Sequence, residues 1–149
     1  MSNLQELAGM TRLPLVQLIN CSGRPYDFSA AGDDRTYADL VTPEGLAFVA
    51  GYADGIGACK NVLIPRNPDG TLAQASPVID DAHDAGLVVH GWTFRRENRF
   101  LPLDYRRGTD PNTPGDMIRE VQTFLAAGMD GFFTDNPDLG AEAAEPFGR

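Results

Sequence analysis

Lysine, cysteine and long apolar runs are all scarce in this sequence. Lys60 is the only lysine among 149 residues, and the formal net charge is −9. Nucleic-acid grooves and anionic membrane surfaces draw on clustered Lys and Arg, so the composition argues against both kinds of partner. No apolar run approaches the ~20 residues that a membrane span needs, and the first residues lack the pattern of a secretory signal.

The two cysteines do not form a recognisable motif. Cys21 and Cys59 lack the spacing of a zinc site or of a redox-active pair. We therefore expect free thiols, with a disulfide between the two as the alternative.

The apolar, charged, Gly and Pro contents are those of a globular chain and give no reason to expect disorder or a fibrous structure. We see no linker, internal low-complexity segment or shift in composition, so we expect a single domain over residues 1–149. Short apolar runs that match buried strands recur along the chain, at residues 12–20, 53–59, 87–94 and 131–134.

Helix signals alternate with these runs. A helix over residues 3–10 comes first, and Thr42-Pro43, Ser76-Pro77 and Thr113-Pro114 are typical of helix starts. The helices that start at Ser76 and Thr113 are predicted to end at Gly86 and Gly128, and a short helix is expected after Pro137. Residues 21–40 and 95–112 are predicted to be long loops, and residues 61–64 extend a strand or begin a turn.

This order predicts an α/β fold in which four strand–helix units form a parallel sheet with right-handed crossovers. A closed (βα)₈ barrel of the TIM type needs eight strands, so these units amount to half a barrel. Its two open edges would leave backbone groups unpaired. We expect something else to cover them.

Four segments together resemble one family. Residues 15–19 (LVQLI), 52–57 (YADGIG), 87–94 (LVVHGWTF) and 131–138 (GFFTDNPD) are similar, in order and spacing, to the C-terminal half of glycerophosphodiester phosphodiesterases, in particular the larger bacterial periplasmic type. The resemblance runs from about Asn3 to Leu139. It implies a TIM-type barrel of which this chain supplies strands five to eight.

The resemblance implies hydrolysis of glycerophosphodiesters to glycerol 3-phosphate and an alcohol, with calcium or magnesium as cofactor. In the family, two histidines act as general acid and base, the first of them in a His-Arg motif, and Glu-x-Asp and Glu-x-Lys motifs hold the metal. None of these motifs occurs in this sequence. We therefore expect no catalytic residue and no metal ligand in this chain, and expect it to be inactive alone.

Four residues are candidates for substrate binding. Trp92 is in phase with Val88 and His90 and should lie at the rim of the barrel, where the resemblance implies an aromatic pocket wall. Lys60 and Arg95 follow predicted strands and could neutralise a phosphate. Gln17 is a polar residue in an apolar strand and either lines the pocket or makes a structural hydrogen bond.

Two other polar residues have structural explanations that we prefer. His90 lies within a strand and has no carboxylate beside it in sequence, so a hydrogen-bonded core histidine is favoured over an acid or base. Asp135 follows the last strand and is expected to cap a helix or fix a turn.

Two hypotheses follow for the whole chain. In the first, it is part of a phosphodiesterase whose other half carries the metal and the acid–base groups, and Met1 is an artificial or internal start. In the second, two copies form a homodimeric barrel that serves as a binding or structural module. A different phosphate-handling barrel with ligands from the two long loops is a third, weaker alternative. Full-length relatives of the suspected type are exported, but the sequence itself does not give a location.

Overall fold

The computed structural model describes residues 1–148, and its helices and strands alternate along the chain. The elements are α1 (Ser2–Ala8), β1 (Val16–Ile19), α2 (Tyr26–Ala31), α3 (Pro43–Ala50), β2 (Gly55–Cys59), α4 (Lys60–Leu63), α5 (Val78–Asp84), β3 (Val88–Phe94), α6 (Met117–Ala126), β4 (Gly131–Thr134) and α7 (Pro137–Ala144). Four short 3₁₀ turns complete the regular structure of the described residues.

The strands form one sheet in the order β1-β2-β3-β4, and every neighbouring pair is parallel. The predicted fold class is therefore confirmed: each strand is followed in sequence by helical structure and then by its neighbour in the sheet. Because the strands are parallel, their carboxyl ends lie at the same edge of the sheet. We call this edge the carboxyl edge.

The two faces of the sheet differ. One face packs against the helices and carries Ile19, Ile56, Ala58 and Val89, all completely buried. The other face, which we call the open face, leaves Leu18, Val88 and Phe133 exposed by 55%, 41% and 48%. Apolar side chains this exposed on one side of a sheet are what remains when a barrel interior lacks its opposite wall.

The helix-covered core continues under β3 into α6. Phe94 at the end of β3 meets Phe124 of α6 edge to face at 5.1 Å between ring centroids, and Phe132 of β4 at 5.8 Å. All the buried side chains of α6 lie on one stripe, which includes Met117, Val121 and Leu125. This stripe also contains one charged residue, Glu120, which is fully buried.

Four local details differ from the predictions. The loop predicted over residues 21–40 contains helix α2, and residues 60–63 form the single helical turn α4. Helix α6 begins after Asp116, whose carboxylate accepts a hydrogen bond from the Arg119 amide, and not at Thr113. The Ser76 hydroxyl donates to the Val62 carbonyl instead of capping α5.

Candidate substrate pocket

A pocket of about 340 Å³ opens at the carboxyl edge, between the ends of β1, β2 and β3. Lys60, Trp92 and Arg95, three of the four predicted substrate-binding residues, line this pocket together. Arg66, Arg99 and Phe100 complete its basic side. The predicted loop over residues 95–112 thus folds back over the sheet edge and brings Phe100 next to the strand ends.

Lys60 directly follows β2 and is almost completely buried. Its ammonium Nζ donates to Oε1 of Glu120 at 2.6 Å and to the carbonyl oxygen of Phe100 at 3.0 Å. Burial lowers the pKa of Lys60 and raises the pKa of Glu120, while the attraction within the pair opposes both shifts. An ammonium has three donors, so one donor of Lys60 remains for the pocket.

Sequence reasoning missed Glu120. The residue lies three positions after Met117 and four before Phe124, two buried residues of α6. A carboxylate in phase with a helix's apolar stripe is a signal that it must find a buried partner. The helical periodicity therefore indicated that Glu120 is buried, although it did not identify Lys60 as its partner.

Trp92 lies at the carboxyl end of the open face. Its indole N–H donates to the carbonyl oxygen of Gly57 at 2.6 Å, across the β2–β3 pair. This bond satisfies the one polar group of the ring and holds its apolar surface against the pocket. The side chain is half-buried, so part of the ring remains accessible to a ligand.

Arg95 follows β3 and pairs with the residue that follows β4. Its Nε donates to Oδ2 of Asp135 at 2.5 Å, and its guanidinium carbon lies 4.7 Å from the centroid of the Phe100 ring. The prediction that Asp135 caps a helix or fixes a turn was wrong, because its carboxylate orients Arg95. Thr134 fixes the turn by accepting a hydrogen bond from the Asn136 amide at 3.0 Å.

Gln17 does not join the other three residues. Its side chain is buried, its amide nitrogen donates to the Leu18 carbonyl, and its Oε1 accepts from the Tyr52 hydroxyl at 3.1 Å. Strand alternation puts Gln17 on the helix-covered face, since its neighbour Leu18 points to the open face. This arrangement corresponds to the structural alternative, and burial raises the pKa of Tyr52 to about 12.

The two histidines lie apart from any acid–base arrangement. His90 is half-buried on the open face with its ring edge to face with Phe133, at 6.2 Å between centroids. Within residues 1–148 its side chain makes no hydrogen bond, so the predicted hydrogen-bonded core histidine was wrong. His83 pairs with Asp130 at 2.8 Å, and Asp130 precedes β4 at the opposite edge of the sheet.

Cys21 and Cys59 form a disulfide, so the prediction of free thiols was wrong. The two cysteines are 38 residues apart in sequence, but their Cα atoms lie only 5.2 Å apart in the fold. Cys59 ends β2, and Cys21 follows β1, so the bridge ties the carboxyl ends of two neighbouring strands. Both cysteines also line the pocket, directly beside Lys60.

The described part of the chain offers no donor set for a metal ion. Among residues 1–148, no group of three or more His, Cys, Asp and Glu side chains converges. A hard divalent cation takes several converging oxygen ligands. The described residues by themselves therefore do not fit such a cation. No helix of the described residues is long and apolar enough to cross a membrane.

Comparison with known proteins identifies the family. The profile of the glycerophosphoryl diester phosphodiesterase family matches residues 1–139. The chain belongs to this family. Family members hydrolyse glycerophosphodiesters and in general depend on a divalent metal.

Three similar proteins come from Arabidopsis thaliana. Glycerophosphodiester phosphodiesterase GDPD6 is 30% identical over 137 residues, which cover 90% of this chain and 33% of the relative. Glycerophosphodiester phosphodiesterase GDPDL1 is 27% identical over 117 residues, covering 76% of this chain and 14% of the relative. Protein SUPPRESSOR OF NPR1-1 CONSTITUTIVE 4 is 26% identical over 117 residues, which cover 76% of this chain and 10% of the relative.

The chain thus spans a third or less of the length of these relatives. The family assignment from the four sequence segments is confirmed. The narrower assignment to the bacterial periplasmic type stays a prediction.

Proposed function

We propose that this chain is the C-terminal half of a glycerophosphodiester phosphodiesterase barrel and supplies the substrate-side wall of the active site. One observation carries the proposal: Lys60, Trp92 and Arg95 converge on one pocket at the carboxyl edge. Active sites of TIM-type barrels lie at this edge. The complete enzyme would hydrolyse small glycerophosphodiesters to glycerol 3-phosphate and an alcohol.

The pocket residues have distinct roles in this proposal. Lys60 and Arg95 stabilise negative charge on the phosphoryl oxygens, and Trp92 provides a flat apolar wall for the glycerol or alcohol part. Buried Glu120 and exposed Asp135 position the two cations through their ion pairs. None of these groups transfers a proton.

Proton transfer and metal binding are assigned to groups outside this chain. Hydrolysis of a phosphodiester requires neutralisation of the phosphoryl oxygens and a proton for the leaving alcohol. His90 contacts Phe133, and His83 is held by Asp130 at the far edge of the sheet. We therefore propose that the chain alone is inactive and binds no divalent cation in the manner of the family.

The open face supports the proposal that further strands complete the barrel. Leu18 and Phe133 belong to the two edge strands, and Val88 lies between them on β3, so the exposed apolar surface runs across the sheet. Both edge strands have one side that no strand of the described residues pairs with. A preceding half-barrel with four strands would cover this face and both edges.

The same surface favours a second candidate function. Two copies of this chain, related by a two-fold axis, could cover each other's open faces and form an eight-stranded, non-catalytic binding module. The upstream DNA sequence and the mass in solution distinguish the two candidate functions. The first predicts an open reading frame upstream of Met1 that encodes His-Arg and Glu-x-Asp motifs, and the second predicts a stop codon and a dimeric mass by light scattering.

The role of the pocket can be tested in a completed barrel, in which this chain is joined to the preceding half of the barrel of the relative GDPD6. Replacing Arg95 with Gln should lower kcat/KM by about 10²-fold, since one charge-stabilising donor is removed. Arg96→Gln is the matched control, because this neighbour is exposed and its side chain makes no hydrogen bond within residues 1–148. Equal activity of the two variants would reject the proposed role of Arg95.

A further inference from the structure

The pocket is strongly basic in an acidic chain. Four of its lining residues are cationic, namely Lys60, Arg66, Arg95 and Arg99, and none is a carboxylate. The chain as a whole carries a formal net charge of −9. A local concentration of positive charge against such a background focuses the field of the pocket on anions.

One residue, Phe100, organises all four cations. Its carbonyl oxygen accepts from Lys60 Nζ at 3.0 Å and from Arg66 Nη2 at 2.5 Å. Its ring lies 4.7 Å from the Arg95 guanidinium carbon and 4.9 Å from that of Arg99. Cation–π contacts of this kind hold guanidinium groups close to each other despite their equal charge.

Carboxylates form direct ion pairs with only two of the four cations, although Glu120 also attracts the Arg66 guanidinium. Lys60 pairs with Glu120 and Arg95 with Asp135, at 2.6 and 2.5 Å. Arg66 and Arg99 form no ion pair within residues 1–148, and Arg99 is held through the side-chain oxygen of Asn112 at 3.0 Å. The Nε of Arg66 and the Oε2 of Glu120 are both buried and have no hydrogen-bond partner in the described structure.

The excess of charge is larger than one phosphodiester requires. A phosphodiester carries a single negative charge, which the free donors of Lys60 and Arg95 can match. Arg66 and Arg99 then remain for a second anionic group on the same ligand. Their forked donors suit a phosphate or a carboxylate.

We infer that this pocket binds a negatively charged head group, so that the substrate class is glycerophosphodiesters whose alcohol carries a phosphate or a carboxylate. The inference rests on the proposed function and specifies its substrate. Cationic head groups such as choline are disfavoured, because four cations face them. Trp92 could attract an ammonium group, but the surrounding like charges oppose its approach.

The chain contains its own reporter for a test. Trp92 is the only tryptophan and lines the pocket, so intrinsic fluorescence reports on this site alone. The full chain is titrated at low salt with glycerophosphocholine, glycerophosphoglycerol, glycerophosphoserine and glycerophosphoinositol phosphate. We expect the inositol phosphate diester to bind at least about tenfold more tightly than the choline diester, with a strong dependence on salt. The serine head group adds a carboxylate to an ammonium, so its comparison with the choline arm measures the contribution of a carboxylate, and the inositol phosphate arm measures that of a phosphate.

Three variants make the test specific. Arg99→Gln should remove most of the preference, and Arg99→Lys should retain part of it because the charge remains. Arg12→Gln removes the same charge from an exposed residue before β1, at the opposite edge of the sheet, and should leave the preference unchanged. Circular dichroism establishes that each variant is folded.

The outcomes separate this inference from the proposed function. Equal affinity for all four diesters, or an equal loss in Arg99→Gln and Arg12→Gln, overturns the inference and leaves the proposed function standing. No response of Trp92 to any diester, in this chain and in the completed barrel, overturns both, and a response to inorganic phosphate alone then shows an anion site without a glycerophosphodiester.

Discussion

At the scale of single residues, the ion pair of Lys60 and Glu120 is the most consequential interaction in the chain. Both side chains are buried, and they come from elements 60 residues apart. Breaking a buried pair leaves an uncompensated charge, whereas removing both charges avoids that cost. The pair also holds Lys60 at the pocket, so its loss would affect stability and binding together.

Replacing Lys60 with Met should lower the free energy of unfolding by about 3–5 kcal/mol at neutral pH. Burial already raises the pKa of Glu120, and loss of Lys60 raises it further. When the pKa of a carboxyl is higher in the folded than in the unfolded chain, the protein loses stability as pH rises through the folded-state pKa. The stability lost in Lys60→Met should therefore become smaller as pH falls. Urea unfolding of the wild type and of Lys60→Met at several pH values measures this difference in the free energy of unfolding.

The double variant Lys60→Met with Glu120→Leu is the control, and it should recover most of the lost stability. A single variant that costs less than about 1 kcal/mol at neutral pH would show that the pair is not effectively buried.

Tyr52 provides a second prediction at this scale. Its hydroxyl donates to Gln17, and burial raises its pKa to about 12. An unfolded tyrosine titrates near pH 10, so the unfolded chain loses this proton first and stability should fall between about pH 10 and 12. In Tyr52→Phe this contribution to the alkaline slope disappears, at a cost of about 1 kcal/mol for the lost hydrogen bond.

Denaturant unfolding across that pH range compares the two proteins. Tyr105→Phe is a matched control, since its hydroxyl pairs with Thr123 and is unconnected to Gln17. Parallel alkaline slopes for the wild type and Tyr52→Phe would contradict the account.

At the scale of elements, the disulfide joins the carboxyl ends of β1 and β2 and closes a segment that contains α2 and α3. A cross-link across 38 residues restricts the unfolded chain. The chain-entropy relation gives a stabilisation of about 4 kcal/mol for a closed segment of this length.

The double variant Cys21→Ser with Cys59→Ser should therefore lose about 3–4 kcal/mol in the free energy of unfolding. Reductant should cause a similar loss in the wild type and none in the variant. Unfolding curves with and without reductant test both statements, and an insensitive wild type would refute the stabilising role of the bridge.

The sequence was informative about elements wherever a periodic apolar pattern met a local stop signal. The runs at residues 87–94 and 131–134 match strands β3 and β4 because β-branched and aromatic residues lie between helix-ending glycines and polar tails. Helix α2 was missed because its Ser and Ala residues resemble a loop, and only Phe28 is buried. The turn α4 is too short for a helical period to show.

Side-chain partners were harder to predict than elements. Trp92 and Arg95 were identified as candidates because they lie at or just after the carboxyl end of a strand, and position along a parallel strand determines the sheet edge. The partners Glu120 and Phe100 depend on how α6 and the loop after β3 pack, and Asp135 depends on the pairing of β3 with β4. Local sequence encodes none of these. The pairing of Cys21 with Cys59 depends in the same way on the register of β1 against β2.

At the scale of the whole molecule, the two faces of the sheet differ in how they are covered. Helices cover one face of the sheet, whereas Leu18, Val88 and Phe133 remain exposed on the other. The basic pocket lies at the carboxyl edge, and the described residues hold no metal-binding cluster. The exposed face and the basic pocket support our proposal that the chain is the substrate-binding half of a barrel.

The most direct test of this account is phosphodiester turnover by the purified chain with calcium or magnesium, using glycerophosphocholine and glycerophosphoinositol phosphate as substrates. The account predicts no turnover of either substrate by the chain alone, and metal-dependent turnover once a preceding half-barrel is joined to it. Metal-dependent turnover by the chain alone would contradict the central claim, because residues 1–149 would then have to contain the acid–base and metal-binding groups.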